Sequence, residues 1–208
     1  MKIDKLAAKP DRAGRYLVRF DDGSTMKLYR QTIEDFGLYA GLELEQEQLL
    51  RLRQSAGAMS AKMRAVRIVA ASNVSRRDLE QRLVQKGESP QQAKQAVAWM
   101  EELNLVDDGE TARQIVSRCA AKGYGLARAK QALYEKKIPK EFWEEALADY
   151  PDQRESILSF LRSRLKGETG EKEVRRATDA LLRRGHSYGE IRKALEILSV
   201  DADDFSED

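Results

Sequence analysis

The chain has 208 residues, 41% of them apolar and 35% charged, with only four prolines. That balance favours helix formers over the β-branched runs of a large sheet, and the length suits one large domain or two small ones. One cysteine excludes an intrachain disulfide, one histidine argues against a zinc site, and no apolar run approaches the roughly 18 residues needed to span a bilayer. The opening MKIDKLAAKPDR has no apolar core and resembles neither a secretory nor an amphipathic transit signal, so a soluble, cytoplasmic protein is expected. The net charge of +2 hides an asymmetry. Residues 201–208 hold five acidic side chains and no basic ones, which leaves 37 basic against 30 acidic over residues 1–200. A basic body suggests a polyanionic partner or an acidic protein surface, and the acidic end reads as a solvated, disordered tail.

In chain order, RYLVRF at 15–20, DDGS at 21–24 and TMKLY at 25–29 read as a β-hairpin. Asp-Gly supplies the turn and apolar residues alternate with polar ones on either side. A lone hairpin is marginal in water, so it must pack on something. Short helices are expected over about 30–36, ending before Gly37, and over 44–53, with Glu45 and Glu47 near the positive end. Gln54-Ser-Ala-Gly57-Ala is a weak spacer, and an N-terminal extension, 1–58, is expected to end there.

Residues 75–108 then read as two amphipathic helices joined by a tight turn. The first opens with Ser75-x-x-Asp78, buries Leu79 and Leu83, and stops at Lys86-Gly87, where glycine ends a helix in the left-handed conformation. The second opens with Ser89-Pro90-Gln91-Gln92 and carries a stripe of Ala93, Val97, Met100 and Leu103. This plan recurs. Leu83, Leu133 and Leu181 hold the same place in three segments, followed by a turn at Gly87, Lys137 or Gly185 and a helix start at Ser89, Pro139 or Ser187. Ser187-x-x-Glu190 is a second full capping box. Leading helices are expected over about 61–71, 109–122 and 152–166. The fold expected is all-α for most of the chain: three tandem three-helix repeats (59–108, 109–151 and 152–200) forming an elongated, curved solenoid, with a small N-terminal β-hairpin plus helix extension and the acidic tail 201–208.

Asp78-Leu-Glu-x-x-Leu-x-x-Lys-Gly87, Met100-Glu-Glu-Leu-Asn-Leu-Val-Asp-Asp108, the stretch from Ala112 to Arg118, and Gly125 through Leu133-x-x-Lys136-Lys137-Ile138 together resemble the RecX family of recombination regulators. The resemblance covers roughly 60–200, and the N-terminal part looks like the extension of longer members. Lys137 stands where the family pattern favours glycine, which leaves the shape of the second turn open, and the third unit has about two extra residues around 166–170. The resemblance implies a non-enzymatic regulator, without cofactor, that binds the RecA filament on single-stranded DNA. Similar proteins lie in the filament's helical groove, bridge neighbouring protomers, and suppress ATP hydrolysis, strand exchange and RecA-stimulated cleavage of the SOS repressor.

The residues themselves offer few rivals to that role. Asp107-Asp108 lacks the partners of a metal or catalytic site and sits where its oxygens can cap the next helix. Glu101-Glu102 and Glu144-Glu145 are helix neighbours that diverge rather than converge. Cys119 reads as a small buried hydrophobe, His186 follows a turn glycine, and Trp99 and Trp143 read as packing residues. No glycine-rich phosphate loop lies between a strand and a helix. The basic residues stand out: Arg76, Arg77, Arg82 and Lys86 on the first middle helix, Arg128, Lys130, Lys136 and Lys137 on the second, Arg175, Arg176, Arg183 and Arg184 on the third. Equivalent helices carrying positive charge could follow a phosphate backbone, or meet acidic patches on a helical protein filament. The expected partner is the RecA filament, with direct DNA contact as a second possibility. A monomer without membrane attachment is expected, and the alternative function is a helical-repeat DNA-binding protein that competes for single-stranded DNA.

Overall fold

In the computed structural model the described residues are 1–165 and 170–204, with side-chain surroundings given as far as Leu198. They form a three-stranded antiparallel sheet and ten α-helices, in two compact units, residues 1–106 and 107–208.

The N-terminal unit begins with β1 (Ile3–Leu6), β2 (Arg15–Phe20) and β3 (Thr25–Tyr29), in that order across the sheet. The hairpin register pairs Tyr16 with Leu28 and Val18 with Met26, and Gly23 takes a φ of 81° in the turn. Strand β1, which the sequence reading left out, adds to β2 with an irregularity between Ile3 and Lys5. Ile3, Val18, Phe20 and Leu28 then bury one face against Leu38, Leu44, Leu49 and Leu52, which supplies the packing a lone hairpin needs.

Helix α1 (Arg30–Asp35) is short; α2 (Gln46–Ala71) runs 26 residues without a break. The spacer expected at 54–58 is therefore the middle of a helix, and the two short helices on either side of it are one. Gly57 costs about 1 kcal/mol in a helix relative to alanine. Here the Gln92 side chain occupies the space a Cβ would need, so the glycine permits a close approach that offsets its cost. The first half of α2 covers the sheet through Leu49 and Leu52, and the second half presents Ala61 and Ala65 to α3 (Arg76–Gln85) and α4 (Pro90–Glu102). Leu79, Leu83, Ala93, Val97 and Met100 complete that core.

In the second unit α5 (Asp108–Ala121), α6 (Leu126–Glu135) and α7 (Trp143–Leu147) form one group, with a 3-10 turn at Lys140–Phe142 before α7. A second group comprises α8 (Arg154–Leu165), α9 (Glu171–Arg183) and α10 (Tyr188–Asp204). Helix α10 continues through residues 201–204, which were expected in the disordered tail, while 205–208 lie outside the described residues. The extra residues expected around 166–170 fall on 166–169, also outside them, and on Gly170, which caps α9.

The joint register of leucine, turn and cap appears as one backbone device at three equivalent turns, and the same pair of bonds also closes the turns at Gly37, Asn104 and Gly123. Leu83, Leu133 and Leu181 are fully buried. Four residues on, Gly87, Lys137 and Gly185 have φ of 93°, 56° and 87°. Each donates its N–H to the carbonyl three residues back, at 2.9 Å in all three turns. The next residue, Glu88, Ile138 or His186, is buried and donates its N–H to the leucine carbonyl at 3.1, 3.0 and 3.2 Å. This paired closure satisfies carbonyls that a helix end leaves open. The question left open at Lys137 has an answer: the lysine takes the same left-handed shape as the glycines, at the steric cost glycine avoids.

Candidate functional site

The helix starts hold as expected. Ser75 accepts from the Asp78 N–H at 3.1 Å, Ser89 and Gln92 close a reciprocal box, and Ser187 and Glu190 close another. The Ser187 hydroxyl and N–H both donate to the Glu190 carboxylate and hold its pKa below the ordinary value. Asp107 accepts from the Glu110 N–H at 2.9 Å, the capping role expected of it. Among the described residues no group of three His, Cys, Asp or Glu side chains could hold a metal ion, and no helix is long and apolar enough to cross a membrane.

The remaining singled-out residues are built into the packing. Burial pushes the Cys119 thiol pKa up, away from the thiolate a reactive cysteine needs. Trp143 donates its indole N–H to the Ile138 carbonyl at 3.0 Å, and the Lys62 ammonium lies 4.9 Å from the centre of the Trp99 ring. Glu101 accepts from Arg76 and Glu145 from Arg113, so neither acidic pair forms a convergent site. Burial raises the Tyr150 pKa to about 12, and its hydroxyl donates to the Tyr124 carbonyl at 2.6 Å.

The twelve basic candidates separate into two sets. Arg82 pairs with the buried Asp78 carboxylate at 2.8 Å and reaches the Ser72 hydroxyl, so it works inside the first unit. Arg76 pairs with Glu101 at 2.9 Å and Arg128 with Glu135 at 3.1 Å. Lys136 and Lys137 are half-buried and also engaged within the chain. Arg77, Lys86, Lys130, Arg175, Arg176, Arg183 and Arg184 are exposed, and they remain the charges open to a partner.

A feature missed in the sequence is the setting of Arg164. It stands on α8, four residues after Phe160, and both face a cleft of about 300 Å³ lined also by Tyr124, Arg128, Arg183 and Arg184. The Arg184 and Arg164 guanidinium carbons lie 4.5 and 5.9 Å from the centre of the Phe160 ring. An aromatic residue with arginine at i+4 is the local signal of this pair, and it lies on α8, outside the middle helices that carry the repeated basic residues.

Beside this cleft the two helical groups of the second unit meet through glycine. The Gly125 N–H donates to the Arg184 carbonyl at 2.9 Å and the Ala127 N–H to the Gly185 carbonyl at 3.3 Å. A Cβ on Gly125 would overlap the Gly185 carbonyl, and one on Gly185 would overlap the Arg128 backbone. His186, 4% exposed, places Nε2 3.1 Å from the Gly123 carbonyl. That acceptor requires a proton on Nε2, while Nδ1 has no partner among the described residues. Charging the ring would bury an unpaired N–H, and burial holds the His186 pKa below its ordinary value.

Comparison with known proteins agrees with this architecture. The family model described as "RecX, second three-helix domain" matches residues 107–147, the α5–α7 group. Regulatory protein RecX of Stenotrophomonas maltophilia (strain R551-3) is 31% identical over 135 residues, covering 63% of this chain and 82% of that protein. Regulatory protein RecX of Clostridioides difficile (strain 630) is 24% identical over 203 residues, covering 95% of this chain and 94% of its own. A crystal structure of regulatory protein RecX superposes with a TM-score of 0.66 at 18% identity, over 94% of this chain and 98% of the other, which establishes the shared fold. Recurring helix turns, the match to α5–α7 and a 31% identical relative aligned over most of its length place this chain in the RecX family of regulatory proteins.

Proposed function

We propose that this chain is a cytoplasmic, monomeric regulator of homologous recombination and the SOS response, which binds the RecA filament on single-stranded DNA and inhibits recombinase, ATPase and coprotease activities. Kinship with regulatory RecX proteins supports a regulatory rather than an enzymatic role. The observation that carries the finer reading is the recurring turn. It gives α3, α6 and α9 the same exit, and each keeps exposed positive charge: Arg77 and Lys86, Lys130, then Arg175 and Arg176. Three modules, 59–108, 109–151 and 152–200, each offering a modest charged contact, suit a lattice of identical protomers. Weak contacts made together on such a lattice add through effective concentration.

The test is co-sedimentation with preformed RecA filaments, with RecA alone and with single-stranded DNA alone. The reading expects the chain to pellet with filaments at concentrations where it leaves free RecA unbound. Reversal of Arg77, Lys130 and Arg175 to glutamate, which disturbs none of the internal pairs at Arg76, Arg82 or Arg128, should release it from filaments. Equal binding to bare DNA and filament, lost together in that variant, would instead support the competitor for single-stranded DNA.

A further inference from the structure

We propose that the cleft between α6, α8 and α9 is a phosphate seat for a single-stranded nucleic acid, with Arg164, Arg183 and Arg184 as its donors and Phe160 as the platform that sets two of them. This deepens the reading above, on which it rests, by naming the strand's phosphodiesters as the ligand of one place on the basic surface. Among the described residues the lining of the cleft includes four arginines and no carboxylate. Arg128 already gives a donor to Glu135 at 3.1 Å. Among the described residues no carboxylate lies within ion-pair distance of the other three.

Phe160 explains how like charges are held together. Arg184 and Arg164 rest near its ring at 4.5 and 5.9 Å, an attraction that engages the guanidinium without consuming its N–H groups. Each guanidinium keeps a planar fork of donors, the geometry that matches a phosphate oxygen pair. Tyr124 adds an aromatic residue to the lining. At about 300 Å³ the cleft has room for one phosphate with its sugar. Arg176 and Arg183 line an adjoining hollow with Arg164, beside the single carboxylate of Glu173, so a strand leaving the first seat would meet net positive charge. The glycine junction fixes the wall, because Arg184 shares its carbonyl with the Gly125 N–H.

The experiment titrates the full chain onto a fluorescently labelled oligothymidylate 20-mer across a salt series, with pyrophosphate as a small competing phosphate. The variants are R164Q/R183Q/R184Q and, as a control in the other unit, R77Q/K86Q, each checked by circular dichroism for an unchanged melt. The cleft variant should bind the oligonucleotide at least tenfold more weakly. Its slope of log affinity against log salt should shrink by about 0.7, since each phosphate neutralised on a single strand contributes about that much. The control should lose less on both counts. Unchanged affinity and slope in a folded cleft variant would overturn the proposal. So would tight pyrophosphate binding abolished by the three substitutions while oligonucleotide binding stays intact, because the cleft would then serve a free polyphosphate. RecA ATPase inhibition by wild-type protein is read in parallel. Its absence would sink the regulatory reading, whereas its survival alongside an unaffected cleft variant would sink the phosphate seat alone.

Discussion

Substituting Gly125 by alanine tests whether the two helical groups of the C-terminal unit are fixed to each other by backbone contact. The added Cβ would overlap the carbonyl of Gly185 and the amide of His186. Both belong to a turn set by left-handed Gly185, so no side chain can rotate aside. Relief requires the start of α6 to part from the α9–α10 turn, which sacrifices the bonds at 2.9 and 3.3 Å from Gly125 and Ala127. Two backbone bonds at about 1 kcal/mol each, with about 1–3 kcal/mol of overpacking, give a loss of about 3–5 kcal/mol. In a unit near 100 residues, that lowers Tm by at least about 12 °C. Trp143 fluorescence in a Trp99→Phe background reports the C-terminal unit in thermal and urea unfolding. Gly87→Ala, read in the N-terminal unit by Trp99 fluorescence in a Trp143→Phe background, provides the contrast: its φ is also positive, but a Cβ there would meet nothing within 4 Å, so only the left-handed cost of about 1–2 kcal/mol applies. A G125A loss below about 1 kcal/mol, or one no larger than that of G87A, would refute the reasoning.

Two further outcomes follow from the same turns. Lys137→Gly removes a left-handed lysine, a relief of about 1–2 kcal/mol, against about 0.4–1 kcal/mol of added freedom in the unfolded chain and the loss of the lysine's own contacts. The net should be a gain of up to about 1 kcal/mol, seen as a Tm higher by a few degrees, and a fall in Tm would contradict it. His186 has a folded-state pKa below its unfolded value near 6.5, so the unfolded chain binds more protons in the window between the two. Its contribution is therefore complete above about pH 6.5 and is lost as pH falls through the folded pKa. Melts from pH 8 to 5 should show this decline in wild-type protein and a flatter profile in His186→Gln; identical profiles would remove the assignment.

Most of the fold was legible because the chain marks its helix ends with side chains that act locally. Ser75, Ser89, Asp107 and Ser187 cap within three residues, and Gly87 and Gly185 end helices by conformation alone, so their effect can be read without tertiary knowledge. What escaped depends on distant partners. Strand β1 exists because β2 offers an edge and Leu38 and Leu44 offer a core, neither visible in IDKL itself. Gly57 looked like a break because the Gln92 side chain that fills its space is 35 residues away. Lys137 adopts a glycine's conformation because burial of Leu133 and Ile138 on either side of the turn outweighs the local cost. Among the basic residues the sequence could place charge on helices but not distinguish Arg82, held by buried Asp78, from exposed Arg77. The arginine cleft needed Phe160 and Arg164 from a different helix, which no repeat register joins to Arg183 and Arg184.

On the function proposed above, this chain restrains RecA by acting on the assembled filament. The most direct measurement is the DNA-dependent ATPase rate of RecA against increasing amounts of this protein, at two salt concentrations, beside a titration of the same protein onto labelled single-stranded DNA without RecA. Inhibition well below the concentration that coats bare DNA is expected. Inhibition only once the DNA is covered, or none at either salt, would contradict that function.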